Sequence, residues 1–164
     1  MHTNHVKSLL LLGVSSALFS TPVVTLAQGI TVATTRAVVR PATVARGSGG
    51  TLLVTLTVSP GFHVNAVKPN DPALIPTVFT GHAPKGILFG PAHYPASKSM
   101  RVSYENKPML VYTGTTAISV PFTVTKTAKS GPVQLLGTVN YQGCNATSCY
   151  PPTSASVHAS VTVR

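Results

Sequence analysis

Carboxylates are what this chain has least of. Its 164 residues carry twelve Lys plus Arg against only Asp71 and Glu105, a formal charge of +10. Acid–base hydrolysis of the glycosidase kind needs two acidic side chains facing one bond, and these two stand alone in sequence. Asp71, between Asn70 and Pro72, reads as a turn residue. Basic runs are missing as well. Lys and Arg occur singly from Arg36 to Arg164, with no aromatic stripe between them, which argues against nucleic acid as a partner. A diffuse positive field suits acidic protein partners or loose contact with an anionic membrane surface. Metal-ligand spacing is also lacking. His63, His82, His93 or His158 could join the two cysteines only nominally, with no second Cys pair and no paired histidines, so no metal and no cofactor is expected. No segment sets helix caps around a 3.6-residue pattern, and no internal repeat occurs.

A long hydrophobic run is absent too. The apolar stretch Ser8 to Phe19 is too short for a membrane span, but it follows His2, His5 and Lys7 and precedes Thr25-Leu26-Ala27. A basic start, a short apolar middle and small residues at a cleavage site predict an export signal over 1–27. One domain over 28–164 follows, exported to the periplasm or secreted, and expected to be a monomer. No cysteine follows the apolar run, which argues against a lipid anchor there.

What is present is β structure. Ile30 to Val39, Thr51 to Val58, Phe62 to Val67, Ala117 to Thr125, Val133 to Tyr141 and Ala155 to Val163 are rich in Val, Thr, Ile and Leu. Leu52, Val54, Leu56 and Val58 fall on one face, as do Val157, Ala159, Val161 and Val163. Alternation of period two predicts half-buried strands. Gly- and Pro-bearing turns such as Arg46-Gly-Ser-Gly-Gly50 and Ser59-Pro-Gly61 separate them. Short strands at this spacing predict an all-β, immunoglobulin-like sandwich of two antiparallel sheets. Gly81 to Thr116 is the least regular stretch and reads as long loops and short hairpins at one end.

The only two cysteines, Cys144 and Cys149, stand four residues apart between Gly143 and Tyr150-Pro151-Pro152. Two readings follow. In an exported domain a cysteine pair commonly makes one structural bridge. A six-residue loop, however, gains only about 2 kcal/mol from closure, against ~4.7 for a loop of a hundred. The other reading is a redox-active pair, able to toggle without rearranging the domain. Spacing leaves both open. Prolines at 151 and 152 fix the backbone leaving Cys149 and keep it from pairing as a sheet edge. Asn145, Thr147 and Ser148 are the neutral donors inside the loop; Asn145-Ala146-Thr147 also spells a glycosylation sequon, and a glycan there would block the cysteines.

Tyr141-Gln-Gly-Cys144 and Cys149-Tyr-Pro-Pro152 resemble the signature of the N-terminal periplasmic domain of the thiol:disulfide interchange protein DsbD. Pro60-Gly-Phe-His-Val-Asn65, Lys68-Pro69, Ile75-Pro-Thr77, Tyr94-Pro95, Tyr112-Thr-Gly114 and Val120-Pro121 follow the family's order, so the likeness runs from about Ile30 to Val163. It implies an immunoglobulin-like domain that passes electrons by dithiol–disulfide exchange. Its partners there are thioredoxin-fold proteins, including disulfide isomerases and cytochrome c maturation factors, or a membrane-embedded electron donor. By motif, Cys149 would form the mixed disulfide and Cys144 would resolve it. Tyr104 and Glu105, or Tyr94, are the candidates for the aromatic and acidic cap that the family places over its cysteines. His63 and Asn65 share one face of their strand, opposite Val64, and His63 is a candidate for tuning thiol protonation. The C-x4-C spacing is one residue shorter than in the best-known member. The reading from a different class is a non-catalytic immunoglobulin-like binding module whose disulfide only stiffens a loop.

Overall fold

The computed structural model describes residues 30–164; the export signal expected over 1–27 lies outside the described residues. Twelve strands follow one another: β1 (Ala33–Arg40), β2 (Thr43–Val44), β3 (Gly49–Val58), β4 (His63–Asn65), β5 (Val78–His82), β6 (Ile87–Phe89), β7 (Lys98–Met100), β8 (Met109–Tyr112), β9 (Thr115–Val124), β10 (Gly131–Tyr141), β11 (Gly143–Cys144) and β12 (Thr153–Val163). They form three four-stranded sheets, ordered β1-β3-β9-β6, β2-β12-β10-β5 and β11-β4-β8-β7.

Alternation decides which side of each long strand is inside. Leu52, Val54, Leu56 and Val58 of β3 and Ile118, Val120, Phe122 and Val124 of β9 are buried. So are Leu135, Val139 and Tyr141 of β10 and Val157, Val161 and Val163 of β12. Each of these Leu, Ile or Phe side chains contributes roughly 1.5–3 kcal/mol when fully buried, so the two inner faces hold the fold. The Tyr141 hydroxyl donates to the Ala33 carbonyl at 3.2 Å, and the Thr35 hydroxyl donates to the Ser156 carbonyl, joining the first sheet to the second. The result is an all-β, immunoglobulin-like sandwich. All pairings are antiparallel except β2 against β12.

The third sheet is the departure from a plain two-sheet sandwich. Gly81 to Thr116, read as loops and short hairpins, contains the strands β6, β7 and β8. Phe62 to Val67 shrinks to His63–Asn65, and all three of those residues are buried. A strand buried on both faces does not alternate in polarity. β4 pairs with β8 on one side and with β11 on the other, with Cys144 opposite His63. Sheet three thus sits at the end where β10 leaves the sandwich, and the cysteines are part of it.

Candidate redox site

The site starts from a turn. Gly61 takes φ +82°, a left-handed conformation that favours glycine, and Phe62 N–H donates to the Ser59 carbonyl at 3.1 Å. That turn launches β4. Directly opposed residues of antiparallel strands share a face, so the His63–Cys144 register puts imidazole and sulfur side by side. The same rule sets Asn65 beside Gln142, and their amides lie 3.5 Å apart.

Gly143 is required by a close approach. A β-carbon there would come within 2.4 Å of the Val32 side chain. The backbone therefore passes tight against the sandwich before Cys144, and Cys144 is buried completely. Cys149 is exposed. A disulfide joins them, with their Cα atoms 4.0 Å apart. Asn145 N–H donates to the Ser148 carbonyl at 2.9 Å and Tyr150 N–H to the Gly143 carbonyl at 2.8 Å. The cysteines are thus the non-hydrogen-bonded pair of a tight hairpin, the position where opposed residues approach most closely.

The four residues between them make their own turn. Asn145 Oδ1 accepts the N–H groups of Thr147 and Ser148, both at 2.9 Å, and the Thr147 hydroxyl at 3.1 Å. Thr147 and Ser148, two of the neutral donors read inside the loop, thus face the third, Asn145. Asn145 Nδ2 donates to the Tyr150 hydroxyl at 3.1 Å, and Tyr150 packs on Phe62 with ring centres 5.8 Å apart. The Gln142 amide donates to the Tyr150 carbonyl at 3.2 Å, bracing the chain that leaves Cys149.

Tyr104 arrives from the segment after β7. Its hydroxyl lies 3.1 Å from His63 Nε2 and 3.6 Å from Cys149 Sγ. Ser103 donates to the Ala146 carbonyl at 3.0 Å, pinning this segment onto the cysteine hairpin. Burial holds the His63 pKa below its ordinary value, so the neutral ring is favoured at neutral pH. Burial, and then the charge of Glu105, raise the Tyr104 pKa. With the disulfide formed Cys149 has no proton to give, so the tyrosine hydroxyl is the donor in its contact with Cys149 Sγ. Glu105 is exposed and reaches the site through this electrostatic effect on Tyr104. Tyr94, the other cap candidate, points elsewhere: its hydroxyl accepts the Phe79 N–H at 2.7 Å and its ring packs against the core. Asn65 is buried, with Nδ2 donating to the Ile75 carbonyl at 2.9 Å as well as reaching Gln142, and with Oδ1 unpartnered, so its closest polar contact serves the neighbouring loop.

A groove of about 760 Å³ runs alongside, lined by Phe62, His63, Met100, Val102, Ala146 and Thr147 among others. Sequence reading did not find it, since its walls come from four separate stretches. Among the described residues no three His, Cys, Asp or Glu gather as metal ligands.

No curated protein sequence matches. Among solved structures, the N-terminal periplasmic domain of ScsB from Proteus mirabilis is similar at 13% identity and a TM-score of 0.47, over 77% of this chain and 43% of that one. The seventh ScaB type I cohesin from Pseudobacteroides cellulosolvens has 12% identity and a TM-score of 0.46, over 80% of this chain and 92% of the cohesin. The model of the family described as "Thiol:disulfide interchange protein DsbD, N-terminal" matches residues 31–160. With most of its length covered by that match, the chain belongs to the DsbD N-terminal domain family.

Proposed function

We propose that this protein carries out thiol–disulfide interchange in the periplasm, passing electron pairs to or from thioredoxin-fold proteins or a membrane-embedded donor. The observation that carries the reading is the asymmetry of the sulfurs: Cys149 is exposed and Cys144 fully buried, in one local hairpin. A partner can reach only one of them.

In the direction that reduces the pair, a partner thiolate attacks Cys149 Sγ. The bond to Cys144 breaks, and Cys144 leaves as a thiolate that takes up a proton. The partner's second thiolate then attacks its own sulfur in the mixed disulfide and releases Cys149 as thiolate. The partner ends oxidised and the pair holds two more electrons. The reverse sequence starts from Cys149 and is resolved by Cys144. Tyr104 is positioned to donate to the released Cys149 sulfur, with the Nε2–H of neutral His63 behind it donating to the tyrosine oxygen. A hydrogen bond to a thiolate lowers its pKa and makes it the better leaving group.

Redox titration against glutathione tests the reading, together with trapping by the Cys144→Ser variant. The expected result is a potential well above about −300 mV and a stable mixed disulfide between Cys149 and a thioredoxin-fold protein. A potential below that value with no trapped partner favours the immunoglobulin-like binding module with a structural bridge.

A further inference from the structure

The five long strands all run between the same two ends. Cys144 and Cys149 lie where β10 ends and β12 begins, and the opposite end is where β10 begins and β12 ends. At roughly 3.3 Å per residue, an eleven-residue strand separates the ends by about 30 Å. The balance of charge differs between them. The far end gathers Arg40, Arg46, Lys85, Lys126, Lys129 and Arg164, all exposed. Backbone and side-chain contacts hold them together: Arg46 N–H donates to the Arg164 carbonyl at 3.0 Å, and the Arg46 guanidinium donates to Ser130. A β-carbon on Gly47 would lie 3.5 Å from Lys126 Cγ, and Thr125 N–H donates to the Gly86 carbonyl at 2.9 Å, beside Lys85. Both side-chain carboxylates of the chain are elsewhere. Glu105 adjoins Tyr104 at the disulfide, and Asp71 lines one shallow depression with it.

We infer that this basic end docks on a bilayer carrying anionic phospholipid, standing the domain upright with Cys149 about 30 Å from the membrane surface. The turns that form the end favour a lipid surface over an acidic protein. Ala45–Ser48, Ala83–Gly86 and Thr125–Ser130 contain no aromatic and no large aliphatic side chain. A stable protein interface needs a desolvated anchor of that kind, whereas headgroup binding needs only several cations on one face. Long Lys and Arg side chains on turns can reach phosphates without ordering the backbone.

The test uses protein exported by a bacterial host and purified from its periplasm, with phosphatidylcholine vesicles that contain or lack phosphatidylglycerol. Binding is expected only with the anionic lipid and should weaken as salt rises. Lys85→Gln/Lys126→Gln/Lys129→Gln should reduce it on the order of 100-fold, each cation near the surface being worth about fivefold. Lys68→Gln/Lys98→Gln/Lys107→Gln removes the same charge around the third sheet and should change binding by no more than about twofold. On vesicles, reduced Cys149 should alkylate as fast as in free solution. The inference is overturned by equal loss in both triple variants, by no binding at about 0.1 M salt, by preference for polyglutamate over vesicles, or by Cys149 becoming shielded. None of these readouts depends on exchange activity, so their failure leaves the proposed function standing.

Discussion

Tyr104 connects a buried base to an open sulfur, and removing its hydroxyl separates the two. In reduced protein, Tyr104→Phe should raise the Cys149 pKa by about one unit, the scale of one lost hydrogen bond to a charged group; alkylation rate against pH measures it, and an unchanged profile rules out the contact. His63→Gln should move the same profile by less, because imidazole reaches the Cys149 sulfur through the tyrosine. The histidine also makes stability depend on pH. Its folded pKa is depressed by burial, so the unfolded chain binds the proton more readily. Its contribution is full above the unfolded value near 6.5 and is lost as pH falls through the folded pKa. Thermal unfolding from pH 7 downward should therefore show a shallower fall in Tm for His63→Gln than for the parent. Both cysteines and His63 were legible as candidate site residues because one motif and one strand carry them. The choice between Tyr94 and Tyr104 was not: the deciding contacts join residues more than 40 positions apart.

Among the elements, β3, β9, β10 and β12 could be read from sequence because each has one wet and one dry face over ten or eleven residues. β4 to β8 are three to five residues long, too short for a period to show, and β4 is buried on both faces. β11 is two residues whose pairing only the fold creates. Its entry at Gly143 is the tightest constraint on the site. Gly143→Ala should cost about 1–3 kcal/mol in urea unfolding, as overpacking against Val32 would. Leu56→Ala in β3 should cost about 2–5 kcal/mol by the same measurement, since Leu56 is fully buried. The two differ in a second readout: Gly143→Ala should also alter the rate of disulfide reduction, and Leu56→Ala should leave that rate unchanged.

At the scale of the whole molecule, stability resides in the sandwich and the proposed exchange site in the third sheet at its end. Cys144→Ser/Cys149→Ser should fold to the same sandwich and lose only about 2 kcal/mol by urea unfolding, the entropy of one short loop. A loss of twice that would mean the bridge props the sheet itself. Asn145 suggests it does not, because the turn is pinned by amide and hydroxyl contacts to its side chain rather than by sulfur. The loop thus has contacts of its own, apart from the sulfur–sulfur bond, that hold its shape. Under the proposed exchange such a part can be worked repeatedly without fatigue: each cycle opens and recloses one covalent link, while the surrounding lattice of amides has nothing to relearn.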